Sequence, residues 1–277
     1  MTGAAVELTD AGLRFGPRTL WSGLNLRVEP GEFLAVLGPN GSGKTSLLRV
    51  LLGLQPLSTG RVRLVGRPPG RGNRRVGYVP QQRAMDEGLT LRGTDLVALG
   101  LDGHRWGTGL RGLARRRRRV AEAIAAVGAE SYAGSPVGRL SGGEQQRLRV
   151  AQALVGEPEV LLCDEPLLSL DVAHQRVVSE LIDARRREAG TAVLFVTHEI
   201  NPILPFVHRV LYLVNGAFRI GPPVEVMTSA TLSELYGTRV EVVRVGGQIH
   251  VAGAQSALCE DDAHHHLDQL DEPAAWR

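Results

Sequence analysis

The sequence offers chemistry a single ammonium side chain. Of its 32 basic residues all but one are arginine. The exception, Lys44, lies in the run Gly38-Pro39-Asn40-Gly41-Ser42-Gly43-Lys44-Thr45-Ser46. Before this run stands Glu32-Phe33-Leu34-Ala35-Val36-Leu37, which reads as a buried strand, and after it an apolar helical pattern extends from Leu47 to Leu54. The order is therefore strand, glycine loop, helix. Glycine tolerates backbone conformations and close approaches denied to residues with a Cβ, so successive N–H groups can turn inward around a phosphate chain at a helix N-terminus. In such a cradle Lys44 reaches the β- and γ-phosphates and the Thr45 hydroxyl ligates Mg²⁺. At this chain's own residue frequencies an accidental match of this kind arises about once in a thousand sequences of its length.

A second strand-like run, Val160-Leu161-Leu162-Cys163, ends in Asp164-Glu165-Pro166. A carboxylate at the end of a buried strand beside a phosphate loop can hold Mg²⁺ directly or through water. Asp164 is expected to do this. Glu165, one residue on, points the other way from the strand and is expected to accept a proton from water attacking the γ-phosphate. Alone, the pair would be an ordinary acidic strand end.

Between these segments lies Leu140-Ser141-Gly142-Gly143-Glu144-Gln145-Gln146-Arg147, and here the sequence resembles the ATP-binding subunits of ABC transporters. The resemblance covers nearly all of residues 6–225. Its motifs occur in the family's order: the glycine loop, Gln81 in VGYVPQ, the signature LSGGEQQR, Asp164-Glu165, Ser169-Leu170-Asp171, and His198 in FVTHE. The resemblance implies several roles. Phe15 stands where the family usually has a tyrosine stacked on adenine, and it keeps the ring face. Ser141, Gly142 and Gly143 would contact the γ-phosphate of ATP held by a second ATP-binding subunit, expected to be another copy of this chain. Asp171 would pass close to that subunit. Gln81 would approach Mg²⁺ or water and link the core to a helical arm over residues 83–157, which touches a membrane permease. His198 would place an imidazole at the γ-phosphate. The signature also has a local structural meaning, since Ser141 followed by Glu144 is a capping box that starts a helix running to about Val155.

These residues require a scaffold. The candidate loops at Gly38, Gln81, Asp164 and His198 all follow strand-like runs, as expected for ligands held beyond the carboxyl ends of an open parallel α/β sheet. The fold class expected is α/β, a P-loop NTPase core of the RecA-like kind with an antiparallel N-terminal β subdomain and the ABC helical subdomain. Residues 6–37 read as antiparallel in character, with short runs between turns. Val210–Val214, Asn215-Gly216 and Ala217–Ile220 read as a hairpin with a tight turn, and Val240–Val245, Gly246-Gly247 and Gln248–Val251 as another. The organisation expected is an ATP-binding domain over 1–225, a small extension over 226–258 and a disordered, acidic and histidine-rich tail over 259–277 containing His264-His265-His266, whose spacing matches no closed zinc arrangement.

Composition agrees with a folded protein. The 277 residues are 43% hydrophobic and 22% charged, enough to bury a sizeable core. The sequence shows neither a membrane-spanning apolar run nor a signal peptide, and its two cysteines, Cys163 and Cys259, suit a reducing compartment. Location at the cytoplasmic face of a prokaryotic membrane is expected. Residues 61–119 hold 15 arginines against four acids, a net +11 in a chain whose total is +3. Nucleic acid, anionic lipid or an acidic partner would each suit such a block. Arg115–Arg119 also read as the start of an amphipathic helix whose apolar stripe is Val120, Ala123, Ile124 and Val127.

Only one copy of each motif is present, so a transport subunit of this kind must work with a separate permease, and indirectly with an extracytoplasmic binding protein. PQQR followed by LTLRGTDLVALG, THEINPILPFVHRVLYLVNG and the segment ending VEVVRVGGQIHVAG are similar to the zinc and manganese importer branch. Iron-chelate importers are the nearest alternative within transport. Channel-less ABC ATPases acting on nucleic acid or ribosomes form the alternative outside it, but only about 95 residues separate Lys44 from Ser141, too few for the long coiled coils of DNA-repair members. No nucleic-acid partner is expected.

Overall fold

The computed structural model describes residues 3–81, 85–86, 88–103 and 112–253. Two compact units divide the chain, Met1–Val226 and Met227–Arg277.

The first unit is organised by a six-stranded sheet in the order β5-β6-β7-β3-β8-β9. Its strands are β3 (Phe33–Leu37), β5 (Val76–Val79), β6 (Val160–Asp164), β7 (Ala192–Val196), β8 (Arg209–Val214) and β9 (Ala217–Gly221). Neighbours from β5 to β8 pair in parallel, and β9 turns back antiparallel on β8. Every residue of β3, β6 and β7 is buried, the condition of parallel strands covered on both faces, and their unbroken apolar runs follow from it. The parallel arrangement brings the carboxyl ends of β3, β5, β6 and β7 to one edge.

A separate antiparallel sheet, order β2-β1-β4, is formed by β1 (Val6–Phe15), β2 (Arg18–Val28) and β4 (Thr59–Leu64). Short runs were expected here, but β1 and β2 are 10 and 11 residues long. Register shifts between Leu8 and Ala11 and between Ala11 and Leu13 let the ladder continue through what reads in sequence as interruptions. Phe33–Leu37 belongs to the parallel sheet instead. Leu8, Leu13, Trp21 and Leu24 share one buried core with Leu34 and Val36 of the parallel sheet and with Leu47 and Leu48 of α1 (Lys44–Leu51). This shared core fixes the β1–β2 hairpin against the start of α1.

Three helices fall within the expected arm: α2 (Gly93–Asp102), α3 (Leu113–Ala126) and α4 (Gly142–Leu154). On α3 the apolar positions Val120 and Ile124 are buried and Arg115, Arg117 and Arg118 are exposed, so the arginine run opens an amphipathic helix. Gln145 of α4 donates to the carbonyls of Val137 and Leu140, 3.0 Å each, tying the helix start to the chain before it. Then come α5 (Val172–Ala189) and the single turn α6 (Pro223–Val226). The second unit holds α7 (Ser229–Tyr236) and the hairpin of β10 (Glu241–Val245) and β11 (Gln248–Ala252).

Among the described residues no helix is long and apolar enough to cross a membrane, and no cluster of three metal-ligating side chains occurs. Gln82, Arg83 and the tail with Cys259 and His264–His266 lie outside the described residues. Cys163 is fully buried in β6, and burial pushes its thiol pKa up, which keeps it protonated and unreactive.

Candidate nucleotide site

Residues Gly38–Gly43 form the loop between β3 and α1, with Lys44, Thr45 and Ser46 in the first turn of the helix. Gly38 has φ +139°, and a Cβ there would meet the carbonyl oxygen of Leu213 on β8 at 2.0 Å. Only glycine fits so close to the neighbouring strand. Gly41 and Gly43 also take positive φ, 75° and 98°. Pro39 and Asn40 complete the turn, and Asn40 is exposed. The Lys44 ammonium lies inside the loop and donates to the carbonyls of Gly38 (2.7 Å) and Pro39 (2.9 Å). Lys44 is only 6% exposed, and burial pushes its pKa down, opposed by the charges of Glu165 and Asp164. Ser42 Oγ is buried in the same loop without a hydrogen-bond partner among the described residues. A buried ammonium, an orphaned hydroxyl and a cradle that a Cβ would fill suit a bound phosphate chain.

Asp164 ends β6 and accepts from Thr45 Oγ1 at 3.2 Å, which joins two of the three candidate metal ligands; the third, Gln81, bonds to Glu165 instead. Burial pushes the Asp164 carboxyl up; the Thr45 hydrogen bond pulls the other way and the Glu165 charge adds to the rise. A hydroxyl and a carboxylate side by side are the hard oxygen donors Mg²⁺ takes.

The next residue, Glu165, has φ +50°, uncommon for a side chain of its type. Its N–H donates to Val196 at the end of β7 (2.9 Å), which holds the turn, and its carboxylate is set between two groups from other strand ends. Gln81 Nε2, just beyond β5, donates to Glu165 Oε2 at 3.3 Å. His198 Nδ1, just beyond β7, stands 3.8 Å from Glu165 Oε1. Gln81, Glu165 and His198 thus meet, although the sequence separates them by 84 and 33 positions. Phe15 lies at the end of β1, 49% exposed, as a ring available for stacking must be.

Ser141, Gly142, Gly143 and Asp171 form a distinct cleft of about 570 Å³ with Arg147 and His174 on its walls. Ser141 caps α4 through a full capping box: its N–H and Oγ donate to Glu144 Oε2 (2.8 and 2.9 Å), and the Glu144 N–H donates back to Ser141 Oγ (3.4 Å). Asp171 caps α5, accepting from the His174 N–H at 2.9 Å, with His174 Nδ1 2.7 Å from its other oxygen. These hydrogen bonds hold its carboxyl below the usual range. Nothing in the sequence singles out His174, or Arg18 of β2, whose Nη2 donates to the Gly41 carbonyl of the loop at 2.9 Å. His174 is legible only as the third residue after a capping aspartate, and Arg18 only through strand register.

Comparison with known proteins agrees with this geometry. Residues 21–168 match the family model described as ABC transporter. The zinc transport system ATP-binding protein TroB of Treponema pallidum is 34% identical over 86% of this chain and 89% of its own length. The zinc import ATP-binding protein ZnuC of Pseudomonas fluorescens is 36% identical over 86% of this chain and 84% of its own. An ATP-binding cassette solved as a dimer in a post-hydrolysis state with ADP and Pi superimposes with a TM-score of 0.68 at 29% identity, covering 78% of this chain and 98% of that one. The β3–α1 phosphate loop, the acidic end of β6 and the capped signature turn on this P-loop scaffold are those of a nucleotide-binding cassette, and the chain belongs to the ABC transporter family as one of its ATP-binding subunits.

Proposed function

We propose that this chain hydrolyses ATP to drive a zinc importer, with two copies closing head to tail around two nucleotides against a separate membrane permease. The observation that carries the catalytic part is the setting of Glu165. It lies one residue beyond the Asp164–Thr45 pair and between Gln81 and His198 at the strand ends. The relatives compared above are named for zinc, which supports zinc over manganese as the cargo; neither name mentions manganese.

In this reading the backbone N–H groups of the Gly38–Gly43 loop and the Lys44 ammonium would hold the phosphates, while Thr45 and Asp164 would hold Mg²⁺. Bound ATP·Mg²⁺ supplies the γ-phosphoryl electrophile. Glu165 takes the proton from the attacking water, and Gln81 and His198 hold that water in line. Phe15 stacks on the adenine. Ser141, Gly142 and Gly143 of the second copy close over the γ-phosphate, using the free N–H groups and partial positive charge of the α4 start. Asp171 lines that closing surface, and the helical arm carries the movement to a permease at the cytoplasmic face of the membrane.

The test is Glu165→Gln. Glutamine keeps size and hydrogen bonding but cannot take the proton. Removal of a general base costs about 10²–10⁴ in rate, so ATPase activity should fall at least a hundredfold while ATP still binds and closed dimers accumulate. Turnover at the unmutated rate would refute the assignment. For the cargo, the gene should restore growth under zinc chelation to a bacterium lacking its own zinc-importer ATPase, provided the cognate permease and capture protein are supplied. Absence of rescue with all three proteins present would refute zinc.

A further inference from the structure

We propose that Arg18 is a second cation of the phosphate site and contacts the phosphate chain of the bound nucleotide. The inference rests on the reading of Gly38–Thr45 as that site. The cross-strand register of β1 and β2 pairs Phe15 directly with Arg18, with Gly16 and Pro17 forming the turn between them. One hairpin tip therefore presents an exposed ring and a guanidinium side by side. The ring is the candidate adenine platform. The guanidinium reaches the phosphate loop, where Nη2 donates to the carbonyl of Gly41 at 2.9 Å.

This contact parallels the one made by Lys44. The ammonium bonds to the carbonyls of Gly38 and Pro39, the guanidinium to that of Gly41, and both cations rest on backbone oxygens of the same short loop. A neutral carbonyl is a weaker partner for a cation than an ionised phosphate oxygen, and charge-assisted bonds are roughly twice as strong as neutral ones. A guanidinium has five N–H donors, so one bond to Gly41 leaves most of the fork available. Among the described residues no carboxylate neutralises Arg18. The side chain is exposed, so it is free to turn from carbonyl to phosphate without disturbing the core. A nucleotide running from Phe15 into the loop passes this group.

The experiment measures equilibrium binding of ATP, ADP and adenosine to the full chain and to the variants Arg18→Gln, Arg18→Lys and Lys44→Ala, at low and high salt. Arg18→Gln should weaken ATP and ADP about tenfold and leave adenosine, which has no phosphate, unchanged. Its affinity for ATP should also depend less steeply on salt, because one phosphate-facing charge is gone, and Arg18→Lys should recover part of the loss. Unchanged ATP affinity in Arg18→Gln would overturn the proposal. So would equal losses for ATP and adenosine together with a lower melting temperature, since Arg18 would then merely brace the hairpin. Lys44→Ala checks the phosphate loop independently: undiminished ATP binding in that variant would remove the reading of the site itself.

Discussion

Placing an alanine at Gly38 tests whether the close approach of β3 and β8 shapes the phosphate loop. The added Cβ would lie 2.0 Å from the Leu213 carbonyl oxygen, and real Cβ contacts essentially never come under 3.0 Å, so loop or strand must move by about 1 Å. Leu213 is on an interior strand, hydrogen-bonded between β3 and β9, so the loop is the part that yields. The φ of +139° adds backbone strain of about 1–3 kcal/mol. Taking about 2 kcal/mol, the melting temperature of a domain this size should fall by about 4–8 °C. A 1 Å misplacement of a positioning element costs about a hundredfold in rate. Gly38→Ala should therefore lose about two orders of magnitude of ATPase activity while remaining folded at 25 °C. Gly190 provides the control: it has φ +66° at the end of α5, and a Cβ there meets nothing within 4 Å. Gly190→Ala should cost about 1 kcal/mol, a fall of about 2–4 °C, and leave ATPase activity intact. Steady-state phosphate release and thermal denaturation of the two variants decide the matter. If Gly38→Ala keeps a third of its activity and melts like Gly190→Ala, the contact with Leu213 does not position the loop.

The two meanings of Ser141 are separable. Ser141→Ala should lose about 1 kcal/mol of stability with the cap, whereas Ser141→Asn, whose amide can both accept from the Glu144 N–H and donate to the Glu144 carboxylate, should keep the cap and the melting temperature yet lose ATPase activity, because the larger side chain would crowd the partner's γ-phosphate; a fully active Ser141→Asn enzyme would remove the residue from the phosphate surface. Arg75 binds Glu159 through both ends of its fork, at 2.5 and 2.6 Å, and this hydrogen bonding pulls the Glu159 carboxyl below its ordinary value of 4.5. A depressed carboxylate stabilises the fold above its ordinary pKa and loses that contribution as pH falls through the depressed value, so Arg75→Met should lower the melting temperature at neutral pH by an amount worth at most about 1 kcal/mol for so exposed a pair, and the gap should close in acid. A gap that persists unchanged in acid would mean that the ion pair is not its source.

Legibility in the sequence follows the physics of each segment. Asn215-Gly216 and Gly246-Gly247 were readable as hairpin turns because both positions of each need positive φ, which all four residues adopt. The buried parallel strands β3, β6 and β7 were readable because covered faces demand unbroken apolar runs. β4 was not. It is an edge strand that alternates Arg61 and Arg63 with half-buried Val62, and its arginines merge into the basic block. The length of β1 was hidden by its bulges, where Asp10 takes φ +46°. At the site, Lys44, Thr45, Asp164 and Glu165 could be named from local pattern and Phe15, Gln81, Ser141–Gly143, Asp171 and His198 only through the family resemblance, whereas contacts such as Gln81 to Glu165 are products of strand order. Arg18 is the limiting case: nothing beside it in sequence is acidic or catalytic, and its place on the phosphate loop depends on a two-residue turn and the register of two long strands.

The two halves of the proposed composite site differ in how far they are satisfied, and the difference orders their use. On the phosphate-loop half, Lys44 and Asp164 carry charges that burial disfavours, Ser42 Oγ is unpaired and Glu165 is held at positive φ. Each is a local cost, and phosphate oxygens and Mg²⁺ are the partners that would offset the first three. On the signature half, the capping box already occupies the Ser141 hydroxyl, which donates to Glu144 at 2.9 Å, and Asp171 is occupied by His174. For that hydroxyl to donate to a phosphate it must first release the Glu144 carboxylate, at a cost of about 1.5–3 kcal/mol for the lost bond to a charged group. A nucleotide therefore gains most by binding the phosphate loop first. In the proposed two-copy site the signature turn would engage only when a γ-phosphate presented by the other copy displaces Glu144, so closure of the two copies would depend on the triphosphate and lapse with its cleavage.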